Sequence, residues 1–494
     1  MLWFSVFIPE LSLQATLRGT LAQMNAVPLV LIEGPSNRPL VHAANEAASA
    51  LEIVPGMPVA SAQARAAELV ILPREAEKER VAIKQIAAWL AQFTPMVTLE
   101  SQGVSLEVEP SLRLFGGIGA LAQRIRRGLK ALGYHAAVGI APVPRAAWLL
   151  ARASHERAGV RMCREKGLLA ERLADLPLRF FDWPLETMAA LSALGLTRIR
   201  DVMQQPRAGL RRRLGEAVAD DLDRALGTLP DPREAYVSPE QFVTSIDLVF
   251  DTADAELLTR FAARLLAEME GFLRARGAAA EAITLAFKHG RDHSTPMRFG
   301  ARTPLRLSED WLKLLRERLA AKPLDATVMA MTLRVESMAA FSGETQSWLP
   351  TRAKQQEQWH ALLDRFASRL GPSCVFRIET KNDHRPESAW GSALHAESSG
   401  ARRGLPCNAS RISDYARPLM LLMQPKSLVA LDGAPQYRGA LTLLAGPERI
   451  ETGWWDGKPV ARDYFVAKNP LQEVCWVYRD YRFGRQWFLQ GVFA

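Results

Sequence analysis

Between residues 242 and 338 the chain runs through six patterned segments whose order leaves few folds open. FVTSIDLVF (242–250) alternates as a strand does, and ADAELLTRFAARLLAEMEGFLRARG (253–277) carries the 3.6-residue period of a long amphipathic helix. EAITLAFKHG and TPMRFGART are strand-like, SEDWLKLLRERLA is a helix with Ser308 expected at its N-cap, and ATVMAMTLRVESM is a closing strand. The order β-α-β-β-α-β is the split βαβ, ferredoxin-like pattern. Lys288, His289, Arg291, Arg298, Arg302 and Arg334 fall on or beside its strands. They are expected to form a basic sheet face that follows a nucleic-acid backbone.

Strand and helix patterns also alternate through about residue 165, which indicates an α/β domain. Residues 166–233 differ: ETMAALSALGLTRIRDVMQQP forms two short helices around Gly195, a helix-hairpin-helix pattern. Glycine permits the tight turn, whose N–H groups can meet a phosphate. Arg211, Arg212 and Arg213 follow as a second basic feature, read either as a phosphate contact or as a solvated face. TLPDPREAYVSPEQ (228–241) is Pro-rich and polar, a linker pattern. A polar segment and a helix follow, and residues 384–410, rich in Ser, Gly, Arg and Pro, are expected to form a long loop. Residues 411–494 hold Trp454, Trp455, Trp476 and Trp487 and end in a hairpin pattern, a small β-rich module.

The 494 residues suffice for several domains, and no apolar run approaches the roughly 18–20 residues that span a bilayer. MLWFSVFIPELSLQ has no basic leader and carries Glu10, so it is expected to be a first strand rather than a signal peptide, in a cytoplasmic protein without membrane partners. Four scattered cysteines without a CxxC suggest reduced structural thiols. His289 and His293 are separated by Gly290, which favours a turn over a ligand helix, so no metal and no cofactor are expected. The net charge of +9 suits a nucleic-acid partner.

Through about residue 345 the chain resembles the Y-family, translesion-type DNA polymerases. The segment from VPLVLIEGP to AAELVILP is similar to their fingers, SLEVEPSLRLFGG to the second acidic motif of their palm, and VGIAPVPRAAWLLARAS to their triphosphate-binding stretch. The tail pieces HRPESAW, ARDYFVA, WVYRD and WFLQGVFA resemble a narrower group, the ImuB proteins of bacterial mutagenesis cassettes. The resemblance implies an α/β multidomain fold: palm (1–20 and 75–165), fingers (21–74), helix-hairpin-helix thumb (166–233), ferredoxin-like little finger (234–340), a linker with a helix (341–410) and a C-terminal β-rich partner-binding module (411–494).

Nucleotidyl transfer needs two metal ions roughly 3.5–4 Å apart, held by hard oxygen ligands. The positions matching the family's acids fall near Val6 to Pro9, with Val6 and Ile8 among them, and at Gln102 and Gly103. The first aspartate of the chain is Asp175. The matches to the family's nucleotide-gripping Tyr, Arg and Lys are Asn45, Ala48 and about Pro144, with Arg145 adjacent. The expectation is a protein without catalytic residues, a DNA-binding scaffold in induced, error-prone translesion synthesis. By resemblance its partners are primer–template DNA, the sliding clamp, an error-prone C-family DNA polymerase and a RecA-like accessory protein. Two alternatives stay open: an active polymerase with an altered metal site drawn from Glu10, Glu100, Glu107 and Glu109, and a general DNA-binding module.

Gln346, Ser347, Trp348, Leu349 and Pro350 resemble a sliding-clamp-binding pentapeptide, with Pro350 at the aromatic place and Trp348 expected to fill in. Changing Gln346 and Leu349 together to Ala is expected to abolish retention on immobilised clamp, and unaltered retention removes the assignment.

Overall fold

β1 (Trp3–Phe7) is buried along its whole length because it lies at the middle of a five-stranded sheet. After α1 (Leu11–Leu17), the chain builds an outlying sheet of β2 (Leu29–Glu33), β3 (Leu40–Ala44) and β4 (Val70–Pro73). It returns through α2 (Ala76–Leu90), β5 (Val97–Glu100), β6 (Gly103–Glu107), α3 (Ile118–Ala131), β7 (Ala137–Ala141), α4 (Pro144–Glu156) and β8 (Arg161–Met162). The strand order is β5-β6-β1-β7-β8. Phe4, Val6 and Ile8 face α2 and α3 on one side, whereas Trp3 and Phe7 face α4 on the other. This period-two split of a fully buried strand is what a sheet covered on both faces requires. The computed structural model describes residues 1–20, 26–35, 37–156, 161–290, 293–341, 352–394, 417–418, 420–431, 433–482 and 484–493. They fall into two compact units, Met1–Arg369 and Leu370–Ala494.

Four short helices, α5 (Leu185–Ala193), α6 (Ile199–Met203), α7 (Arg207–Leu214) and α8 (Glu216–Ala225), pack on the α4 side through Leu191, Ile199, Val202, Leu210 and Leu222. The stretch read as a linker, 228–241, is pinned to the sheet. The Tyr236 N–H donates to the Val97 carbonyl at 2.7 Å, and Arg233 bridges Asp231 and Glu100 at 3.0 and 3.1 Å. An exposed strand edge and a buried carboxylate both need partners, and this segment supplies them.

The β-α-β-β-α-β series forms as expected: β9 (Val243–Thr252), α9 (Ala255–Ala275), β10 (Ala278–Lys288), β11 (Ser294–Leu305), α10 (Ser308–Ala321) and β12 (Val328–Ala340). The sheet is antiparallel in the order β11-β10-β12-β9, and α9 and α10 share its core. Ser308 is not the N-cap. Its N–H and hydroxyl both donate to Glu270 of α9, at 2.9 and 2.8 Å, which joins the two helices instead.

This layer is seated on the helices of the first sheet. The Trp89 indole fills space that a Cβ on Gly128 of α3 or on Gly271 of α9 would enter, so three helices close on one ring. Beside it Arg18 and Glu268, both buried, form an ion pair. Arg18 also donates to the Leu132 carbonyl at 3.0 Å, and Thr244 donates to Glu268.

α11 (Arg352–Leu370) follows, attached by Arg302–Asp364 and Arg365–Glu317 pairs. The second unit opens with the hairpin β13 (Phe376–Thr380) and β14 (Trp390–Leu394). Of the loop expected over 384–410, residues 384–389 form the turn, which Arg385 holds in place, Trp390–Leu394 is corrected to a strand by its pairing with Phe376–Thr380, and 395–410 lie outside the described residues. β15 (Met420–Leu428), β16 (Thr442–Thr452), β17 (Val460–Lys468), β18 (Val474–Asp480) and β19 (Gln486–Val492) then form the expected β-rich sheet. Among the described residues no helix is long and apolar enough to cross a membrane.

Removing one partner of a buried ion pair strands the other charge. Glu268→Ala is expected to lower unfolding stability by about 3–5 kcal/mol, measured by denaturant titration of the full chain. A loss within the range of a surface substitution would show that the Arg18 contact does not hold the layers together.

Candidate functional site

The positions expected to replace catalytic acids lie at one end of the first sheet, where Phe7 pairs with Gly103 and Val6 with Val104. Val6 and Ile8 are fully buried among the side chains of α2 and α3. Gln102 is exposed in the turn, and its carbonyl accepts the Ile8 N–H at 2.8 Å. Gly103 has no room for any side chain. A Cβ there would stand 2.0 Å from the Val6 carbonyl oxygen and 3.1 Å from the Trp148 ring. Trp148 of α4, 1% exposed, meets Phe7 edge-on with centroids 5.6 Å apart. An indole and a phenyl ring therefore occupy the ground beside Gly103. They offer no hard oxygen donor, so this set does not fit a pair of magnesium ions.

The four remaining glutamates do not converge. Glu10 is exposed with a left-handed backbone, φ 48°, before α1. Glu109 pairs with the N-terminal ammonium. Glu107 ends β6 opposite Trp3, four residues or about 13 Å of strand from Gly103. Glu100 is committed inward. It accepts from the Ser105 hydroxyl at 2.9 Å, Ser105 meets Ser5 at 2.8 Å, and Arg233 donates to it at 3.1 Å. Burial raises its pKa, and the Arg233 charge and the Ser105 hydrogen bond offset only part of that rise. Among the described residues no three His, Cys, Asp or Glu side chains gather as metal ligands would.

The expected nucleotide contacts have local structural roles. The Asn45 carboxamide oxygen accepts the Ala48 and Leu29 N–H groups at 2.9 and 3.0 Å, capping the helix Glu46–Ala50 that contains the buried Ala48. Pro144 begins α4. Arg145 reaches away to Asp221 of α8 at 2.6 Å and to the Phe181 carbonyl at 2.8 Å. Its backbone N–H donates to Asp231 at 3.1 Å.

The proposed DNA contacts fall into separate groups. Gly195 takes the left-handed φ of 74° expected after α5, but its N–H bonds back to the Ser192 carbonyl at 2.9 Å. The next free N–H groups, of Thr197 and Arg198, both donate to the Asp201 carboxylate at 3.0 and 2.8 Å. Those bonds hold the Asp201 pKa below the ordinary range, so an anion is already seated at this turn. On α7, Arg211 lies 3.7 Å from Asp220, while Arg212 and Arg213 are exposed and make no ion pair among the described residues.

On the helix-free face of the second layer, Arg298 of β11 and Arg334 of β12 flank Thr284 of β10 in register. Two strand spacings put them about 10 Å apart. Glu336 engages Arg298 at 2.6 Å and also Thr284, an acidic member that charge counting missed. Lys288 is exposed further along β10. Arg302 is turned aside to Asp364 of α11, and Arg291 lies outside the described residues. The segment Gln346–Ser347–Trp348–Leu349–Pro350 also lies outside them.

In the second unit the four tail pieces meet in one network. Arg385 donates to Asp383 and Asp456 at 2.7 and 2.6 Å. Glu387 accepts from Arg462 and Gln490 at 2.8 and 3.0 Å. Tyr464 donates to Gln490 at 2.7 Å and stacks on Trp476 at 4.3 Å. Trp476 and Trp487 are core, whereas Trp454 and Trp455 stand 75% and 58% exposed, edge to face, between β16 and β17.

Residues 12–152 match the model of the impB/mucB/samB family. Protein ImuB of Caulobacter vibrioides (strain NA1000 / CB15N) is 26% identical over 472 residues, 90% of this chain and the full length of that protein. DNA polymerase IV of Desulfatibacillum aliphaticivorans is 30% identical over 183 residues, 35% of this chain and 44% of that protein. Among solved structures, DinB from Sulfolobus solfataricus is 17% identical, with 69% of this chain and all of that chain covered at a TM-score of 0.40. The insertion ternary complex of Dbh DNA polymerase is 18% identical, with 68% and 98% covered at 0.41.

If Trp148 and the Val6 carbonyl close this end of the sheet, one methyl group at Gly103 is too much. Gly103→Ala is expected to destabilise the chain by about 1–3 kcal/mol or more in a denaturant melt. A melt indistinguishable from the parent would mean that the cleft can open to accept a side chain.

Proposed function

We propose that this ImuB-like chain, a Y-family polymerase-type α/β fold with an added β-rich unit, is a non-catalytic DNA-binding scaffold of translesion synthesis. The observation that carries this reading is the Gly103 position, closed by Trp148 and the Val6 carbonyl where metal-binding carboxylates would be needed. Arg334, Lys288, Arg212 and Arg213 are exposed and available to phosphates, and Arg298, exposed beside them, would have to exchange Glu336 for one. Such contacts carry no sequence information, which suits a protein that must accept damaged primer–template.

In this reading residues 1–20 and 75–165 act as palm, 21–74 as fingers, 166–233 as thumb and 234–340 as little finger. The pentapeptide 346–350 recruits the sliding clamp. The tail beyond it holds the RecA-like accessory protein and the error-prone C-family polymerase that performs synthesis in the cytoplasm. The exposed Trp454–Trp455 pair supports a contact role for the tail, because aromatic anchors dominate interface energies.

Two measurements test the proposal together. Primer extension with Mg²⁺ or Mn²⁺ should show no nucleotide incorporation, and incorporation by the purified chain refutes the scaffold. Binding to primer–template should weaken as salt rises, and Arg298→Ala with Arg334→Ala should reduce the log–log salt slope by about one per arginine that meets a phosphate. An unchanged slope removes the sheet face from the DNA contact.

A further inference from the structure

A groove of about 590 Å³ runs between α3 and the end of the first sheet at β7 and β8. Its floor is apolar and mostly small: Ile118, Gly119, Ala122, Ala136, Ile140 and Met162. Its rim carries Arg126, Arg127, Lys130 and His135, and among the described residues no carboxylate lines it. All four basic residues are exposed, and none of their side chains makes a hydrogen bond or ion pair among the described residues. Elsewhere in this unit Arg74, Arg179, Arg260 and Arg274 each hold a carboxylate within 2.8 Å.

The groove is also pre-formed. Gln14 of α1 clamps the His135 backbone from both sides, accepting its N–H at 2.7 Å and donating to its carbonyl at 3.1 Å. Leu121, Ile125 and Leu129 fasten α3 to the sheet, leaving its Arg126–Lys130 flank outward. A partner therefore finds uncommitted cations carried on a held backbone at the rim, and vacant depth over glycine and alanine.

We propose that this groove docks an acidic, amphipathic segment of another protein. Its apolar side chains would enter over Ala122 and Met162, and its carboxylates would face Arg126, Arg127 and Lys130. Charge complementarity argues for the acidic partner. The floor argues against a nucleic acid, whose phosphates would use the rim and leave the apolar depth unfilled. The groove also lies on the sheet face of α3, whereas α5 to α8 pack on the α4 face. The inference does not depend on whether the protein holds DNA.

The test uses the full chain and three fluorescent probes: a short helical peptide of leucine and glutamate, a glutamate-only peptide of equal length, and a short DNA duplex. Fluorescence anisotropy should show the leucine–glutamate peptide binding best. Arg126→Glu, Arg127→Glu and Lys130→Glu together should weaken it by about tenfold or more. Met162→Glu should weaken the same peptide and leave duplex binding unchanged. Should the triple variant melt early, the single exposed changes Arg127→Glu and Lys130→Glu read the same loss in steps. Equal peptide affinity in parent and variants overturns the proposal. So does a loss confined to the duplex, or a self-association in sedimentation that the charge reversal abolishes, which would assign the groove to a second copy.

Discussion

Trp89 is the residue on which the first unit closes. Its ring lies where Gly128 and Gly271 have no side chains, so α2, α3 and α9 approach to distances that a methyl group at either glycine would prevent. Close packing of this kind tolerates little change in volume. The Arg18–Glu268 pair lies in the same joint and is fully enclosed. Its attraction is favourable because Thr244, Gln85 and the Leu132 carbonyl satisfy what the two charges leave over. The β-α-β-β-α-β layer is thereby one body with the first sheet, and the face bearing Arg298 and Arg334 has a fixed position on it.

The same economy of space explains the end of the first sheet. A carboxylate pair needs water, metal and room, and the chain offers Phe7, Trp148 and a glycine whose nearest neighbours are backbone and ring. Glu100, the carboxylate most enclosed on that face, is consumed by Ser105 and Arg233. The segment 228–241 is drawn onto the sheet by that same contact. The strands themselves need no such ligands, because β1 pairing with β6 and β7 holds them.

Much of this was legible in advance. The period-two and period-3.6 patterns located the six elements of the second layer, and the tail pieces pointed to a β-rich module that does form. The reading failed where a side chain's partner lies far along the chain. Ser308 looked like an N-cap until Glu270 took its hydroxyl. Residues 390–394 looked like loop but pair as a strand with Phe376–Thr380. The turn at Gly195 looked open to phosphate, yet Asp201 already fills it from within the next helix. The groove beside α3 was not anticipated, because nothing in the pattern of one helix tells which strand end its Arg126, Arg127 and Lys130 will border.

By itself the sequence determined which chemistries were possible. The absence of any aspartate before Asp175 and the apolar run through Val6 and Ile8 are facts of composition, and no folding turns a valine into an oxygen ligand. Only the tertiary structure decided which charges are still available. Arg145 is spent on Asp221, 76 residues on, and Arg302 on Asp364, 62 residues on, while Arg212, Arg334 and the α3 rim stay free. The reason is that a charge is satisfied by whatever lies within a few ångströms of it, and that distance is set by packing between elements rather than by position along the chain.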